Sequence, residues 1–193
     1  MPYSNLAAYS PLSDPQWAAL SRHLPKPTTG RPCDLRARLN AIFHIAATND
    51  PWHALPPEHG SPATIARYFR TLTHAGLWER LLKALAAAPP GDPLRELQHI
   101  ICRATRRAIR LRGLPLVALI RRLGLLRALP APPRLCPDPA LSSRVFAMPI
   151  PRAVPSSARG MRAVLDYLKS LRKLIGIAGG RQRIPRAVRA AWI

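Results

Sequence analysis

Acidic side chains are what this sequence has least of: nine Asp and Glu stand against 30 Lys and Arg in 193 residues. Beyond Glu96 only Asp138 and Asp166 remain. Cysteine is also sparse. Cys33, Cys102 and Cys136 are odd in number and lack the spacing of a metal clip, which argues against a disulfide framework and for free thiols in a reducing cytoplasm. The six histidines, His23, His44, His53, His59, His74 and His99, show neither an HExxH motif nor paired-ligand spacing, so no metal is expected. No GxGxxG and no P-loop occurs, and the reading is of a protein with no cofactor and no small-molecule substrate. Met1 to Asn5 has no basic region leading into an apolar core, so no secretory signal is expected. The longest apolar stretch, Leu114 to Leu129, is broken by Arg121, Arg122 and Arg127 and falls short of the roughly 20 residues that span a bilayer.

What the chain has is positive charge, a formal +21. A field of that size draws in polyanions and speeds their encounter, and nucleic acid is the commonest such partner. The charge is uneven. Residues 1–96 hold 10 Lys/Arg and 7 Asp/Glu, whereas residues 97–193 hold 20 Lys/Arg and two Asp. The first half reads as an ordinary globular domain and the second as a basic extension. Proline is abundant, 23 residues, and concentrates between Pro130 and Pro155, where loss of the backbone donor disfavours regular structure.

Helical signals recur throughout. Ser13-Asp14-Pro15-Gln16 forms a capping box, after which Trp17, Leu20 and Leu24 share a face until Pro25 and Pro27. A second helix starts at Asp34 and carries the stripe Leu35, Leu39, Ile42, Phe43 and Ala46, ending at Asn49-Asp50-Pro51. Trp52 and Leu55 in the following loop are expected to plug the space between helices. Ser61-Pro62 starts a third helix that runs to about His74, with Ile65, Phe69 and Leu72 inward. Gly76 breaks it, and a fourth helix runs from Leu77 to the Pro89-Pro90 pair. Asp92-Pro93 begins a helix extending to about Arg112, a short apolar-basic helix reaches Leu129, and a last amphipathic segment spans 160–177. No segment alternates with period two. The expected fold is all-α: a helix-turn-helix-like core with a basic, Pro-rich, partly helical C-terminal extension. The expected division is a tail at 1–11, a core at 12–88, basic amphipathic helices at 92–129, a Pro-rich linker at 130–158 and a basic amphipathic segment at 159–193.

Residues 12–85 carry a series of short elements in fixed order. Leu12-Ser13-Asp14-Pro15-Gln16-Trp17 is followed by Leu24-Pro25 and Gly30-Arg31-Pro32. Then come Asp34-Leu35-Arg36 and Leu39-Asn40-Ala41-Ile42, Pro51-Trp52-His53-Ala54-Leu55-Pro56, Phe69-Arg70, and Gly76-Leu77-Trp78-Glu79. The series resembles the N-terminal domain of bacterial insertion-element transposases whose second domain is a DDE nuclease. One element departs: the family has Trp-Ser-Thr-Val where this chain has Ser61-Pro62-Ala63-Thr64-Ile65, so the family's target sequence does not carry over. The resemblance implies binding to the terminal repeats of a mobile element. The three carboxylates of the nuclease are missing, which implies a protein that is not itself a transposase enzyme.

A recognition helix needs exposed side chains that reach phosphates and base edges. Thr64, Arg67, Tyr68, Arg70 and Thr71 meet that need on the third helix. Arg31, Arg36 and Arg38 fall where a bracing helix meets the DNA backbone, and Arg106 and Arg107 would grip phosphates from the basic extension. The expected function is non-catalytic, transposase-derived binding of double-stranded DNA by a cytoplasmic, nucleoid-associated protein. The alternatives are a helical interaction protein that self-associates or regulates an intact transposase, and an inert fragment of a truncated transposase gene. A membrane-surface role for Arg162 to Ile177 ranks lowest.

Overall fold

The computed structural model describes residues 10–25, 34–151, 153–181 and 183–192. Among them are ten α-helices and no strand, so the fold is all-α. The helices are α1 (Asp14–Ser21), α2 (Leu35–Thr48), α3 (Pro62–His74), α4 (Leu77–Ala87), α5 (Pro93–Glu96), α6 (Gln98–Arg112), α7 (Leu114–Arg122), α8 (Pro139–Phe146), α9 (Ala158–Gly179) and α10 (Arg186–Ala191). No helix among the described residues is long and apolar enough to cross a membrane.

Local chemistry sets most helix starts. Ser13 and Gln16 satisfy each other's backbone donors in the capping box of α1. Asp34 caps α2 by accepting from the Ala37 N–H. Asp92 caps α5, Asp138 caps α8 and Ser157 caps α9 through their side chains. Each such bond satisfies an N–H that the helix itself leaves unpaired. Ser61 occupies the cap position of α3 without a side-chain bond, and Pro62 supplies the preset φ of the first turn.

The chain forms two compact units, Met1–Leu129 and Pro130–Ile193. In the first unit α6 lies at the centre, against α2, α3, α4 and α7. Its Ile101, Ala104 and Ala108 are fully buried, as are Ile42 and Phe43 of α2, Leu72 of α3 and Trp78, Leu81 and Leu82 of α4. Each large apolar side chain so buried contributes about 1.5–3 kcal/mol. The first compact unit thus takes in the helices of 92–129 together with those of 12–88, because the arginines of α6 flank a face of alanine and isoleucine that packs into the core.

Two further differences from the sequence reading have local causes. The helix expected to run unbroken from 92 to 112 is interrupted at Leu97, whose N–H turns to the carbonyls of Leu94 and Arg95. The break lets α5 pack on α1 while α6 enters the core. Gln16 Nε2 donates to Glu96 Oε2 across the first of these contacts, at 2.8 Å. The stretch 130–158, expected to lack regular structure, contains α8 and a 3-10 turn at Pro133–Leu135. Pro139 sits at the start of α8, where a missing N–H costs nothing. In this second unit α8 packs on α9, and Asp138 N–H donates to the Ala178 carbonyl at 2.7 Å. Gly180 adopts φ +68, and a Cβ there would stand 2.7 Å from the Pro137 nitrogen.

Candidate nucleic-acid interface

The connection between α2 and α3 is long for a helix-turn-helix unit, and it is packed. Asn49 ends α2 in the left-handed region with φ +61, which Asn tolerates better than most residues. Trp52, in a 3-10 turn, sets its ring 5.2 Å from that of Phe69 on α3, and Phe69 in turn lies 5.4 Å from Trp78 of α4. Leu55 is buried. The expected plugging role of Trp52 and Leu55 is thus met by an aromatic row that fixes α3 against its neighbours. Below it, Thr73 Oγ1 donates to the Phe69 carbonyl and accepts from Trp78 Nε1, both at 2.8 Å.

Anchored by buried Ile65, Phe69 and Leu72, α3 leaves Thr64, Arg67, Arg70 and Thr71 exposed and Tyr68 half-buried. No acidic residue occurs on α3. Arg38 of α2 places its guanidinium 5.2 Å from the centre of the Tyr68 ring, a cation–π contact that joins the two helices at the edge of this face. Arg70 Nε lies 3.4 Å from the Ala66 carbonyl and Thr71 Oγ1 donates to the Arg67 carbonyl at 3.2 Å. Both reach back one turn along the helix, and their polar ends stay at the surface. A tight turn at Gly76, with φ +75, joins α3 to α4. That pair has the shorter turn, yet α4 buries Leu77, Trp78, Leu81, Leu82 and Leu85 and exposes mainly Lys83, Ala86 and Ala87. Of the two, α3 is the helix that exposes Arg and Thr side chains.

The other expected contact residues have different surroundings. Arg36 Nη1 pairs with Asp14 Oδ1 at 2.6 Å, and its Nη2 donates to the Leu12 carbonyl. It ties the approach to α1 onto α2, beside the bond from Leu12 N–H to Asn40 Oδ1. Arg107 donates through Nη2 to the carbonyls of Ile45 and Asp50 and stacks 5.2 Å from the Trp52 ring. Arg106 donates through Nε and Nη2 to the Arg127 carbonyl at 2.8 and 2.7 Å. Burial, and then the neighbouring Arg103 charge, lower the Arg106 pKa to about 10, which leaves it cationic at neutral pH. The structure does not bring Arg106 and Arg107 to the α3 face. Arg31 lies outside the described residues.

One arginine that the sequence reading did not single out has a structural part. Arg103 is buried, and its Nε donates to the Ala46 carbonyl at 2.9 Å. Together with Arg107, one helical turn on, it supplies positive charge to the C-terminal end of α2, where carbonyls without intrahelical partners concentrate negative charge. The available signal was the i, i+4 spacing of Arg103 and Arg107 beside Ala104 and Ala108 on a helix otherwise apolar on one side.

Among the described residues the remaining polar groups are dispersed. Cys102 and Cys136 are buried, and burial raises the Cys102 pKa to about 11, so that sulfur stays protonated and weakly nucleophilic. His44 and His59 approach with ring centroids 4.9 Å apart, but among the described residues no three His, Cys, Asp or Glu side chains are grouped as metal ligands.

No curated protein and no solved structure matches the chain. A family model does match part of it, over residues 12–82, from the approach to α1 through most of α4. That family is described as "Putative transposase of IS4/5 family", and this stretch of the chain is accordingly an N-terminal transposase-like segment.

Proposed function

We propose that the chain binds double-stranded DNA of a mobile element through the exposed face of α3, and that it does so without cutting or joining strands. The observation that carries the reading is the face itself. Thr64, Arg67, Arg70 and Thr71 project from a helix whose opposite side is locked by Phe69, Trp52 and Trp78, within a segment of transposase type. A rigid helix with Arg and Thr outward suits the major groove, where Arg pairs in bidentate fashion with guanine and Thr contacts bases or methyl groups. Arg38, braced on Tyr68, lies where the supporting helix meets phosphates.

The non-catalytic part of the proposal rests on how the carboxylates are employed. Asp34, Asp92 and Asp138 cap helices, and Asp14 and Glu79 are paired with Arg36 and Arg112. A nuclease triad needs carboxylates converging on shared metal ions, and these point to helix ends and arginines on separate elements.

The test is selection of bound sequences from a random duplex library by the full chain, followed by titration of the selected site against scrambled duplex. A sequence motif should emerge, and Arg67→Ala or Arg70→Ala should lower affinity for it by about 1–3 kcal/mol where that residue reads a guanine. If no motif emerges, or both variants keep the wild-type preference, α3 is not the reader.

A further inference from the structure

On α9 the side turned to its own unit and the side turned outward are both apolar. Leu171 and Ala178 are buried, and Tyr167 O–H donates to the Pro149 carbonyl at 2.7 Å. A second set of apolar residues faces outward: Met161 is 37% exposed, Leu165 49%, Leu168 41% and Ile175 52%. Their spacing is four, three and seven, with Arg172 filling the place four beyond Leu168 and three before Ile175. This is the alternating four–three repeat of a coiled-coil seam, extending about 21 Å at 1.5 Å per residue. One flank of the seam is occupied by the buried side of α9. The other carries Arg162 and Lys169, both exposed, at the positions that form charge pairs across a helical interface.

Charge selects the occupant. Over 158–179 the helix holds Arg159, Arg162, Lys169, Arg172 and Lys173 against Asp166 alone. A second copy would set this helix against its own charge, with Arg172 inside the seam. A lipid surface needs a broad apolar face, whereas the large exposed apolar residues of α9 form one seam interrupted by the Arg172 guanidinium, with Ile177 alone outside it. We propose that α9 docks an acidic amphipathic helix of another protein, whose leucine-type seam covers Leu165 and Leu168 and whose Glu or Asp residues meet Arg162, Lys169 and Arg172. This surface lies in the unit beginning at Pro130, outside the segment of transposase type, and does not depend on α3 being the DNA reader.

The probe is a designed helical peptide of about three heptads with Leu on its seam and Glu on its flanks, labelled for fluorescence anisotropy against the full chain. A peptide with Lys in place of Glu is the control. The wild-type chain should take the Glu peptide and not the Lys peptide. Leu165→Asp/Leu168→Asp should weaken the complex by about tenfold or more, and since both positions are at the surface, an unchanged helical circular dichroism spectrum should confirm folding. Arg162→Glu/Lys169→Glu should reverse the preference toward the Lys peptide. The proposal is overturned if the wild-type chain ignores the Glu peptide, or if the leucine changes leave binding intact. Leucine-dependent uptake onto phosphatidylserine vesicles without peptide binding, or leucine-dependent self-association in sedimentation, would overturn it in favour of those occupants.

Discussion

Arg103 and Arg107 sit one turn apart on α6 and give their N–H groups to the end of α2. Surface charge would be cheap to lose; these side chains would not be, because Arg103 donates to the Ala46 carbonyl, and Arg107 joins the Ile45 carbonyl, which also accepts from Asn49 N–H, to that of Asp50 beyond the helix end. Arg107→Ala is expected to lower unfolding free energy by about 1.5–3 kcal/mol, read from a urea transition. Arg107→Lys should restore only part of it, since an ammonium cannot reproduce the guanidinium's fork or its stack on Trp52. A wild-type transition in the alanine variant would refute the structural role. His23 offers a pH signature. Its pKa is lowered from the ordinary 6.5 by burial first and then by Arg80 and Arg22, with Asp92 opposing. The folded state thus binds the proton less readily than the unfolded chain, and stability should fall as pH drops below about 6.5. His99 shifts the same way, by burial and then Arg103, Arg106 and Arg127. His23→Gln should flatten part of the decline between pH 7.5 and 5; an unchanged slope would show that other groups cause it.

At the scale of elements, legibility followed how local the determining chemistry is. The starts of α1, α2 and α3 could be read because Ser13-x-x-Gln16, Asp34 and Ser61-Pro62 act within one helical turn. The exposed face of α3 followed from periodicity, since Ile65, Phe69 and Leu72 fix which side is inward. The place of α6 could not be read the same way. Its arginines looked like a basic tail, and only the carbonyls of Ala46, Ile45 and Asp50, some 57–62 residues away in sequence, reveal their partners. In the Pro-rich stretch, Asp138-Pro139 is a helix start of the same kind as Asp92-Pro93, but the surrounding prolines masked it. The consequence for fragments is direct. Residues 1–88 lack Ile101, Ala104 and Ala108 and expose the faces of α2, α3 and α4 that α6 covers, so this fragment is expected to lose cooperative unfolding. Residues 1–129 should keep it, as judged by thermal circular dichroism. A sharp transition in 1–88 would mean that the transposase-like segment folds without α6.

Across the whole molecule, the charge divides between two units that can be asked different questions. Residues 130–193 hold 12 Lys/Arg against Asp138 and Asp166, while the first unit contains α3 and the remaining charge. Phosphate contacts release counterions and fall off steeply with salt, whereas base contacts set preference. The full chain should therefore bind duplex DNA with log affinity falling linearly in log salt, at about −0.9 per phosphate contacted. Residues 1–129 should show a shallower slope and a weaker affinity for random duplex, but the same ratio of selected to scrambled sequence as the full chain. Both quantities come from one set of anisotropy titrations between low and physiological salt. An unchanged slope in 1–129 would mean that the second unit contributes no phosphate contacts. Loss of the sequence ratio in 1–129 would place the reading helix outside the unit that contains α3, and the assignment of Thr64, Arg67, Arg70 and Thr71 would have to be abandoned.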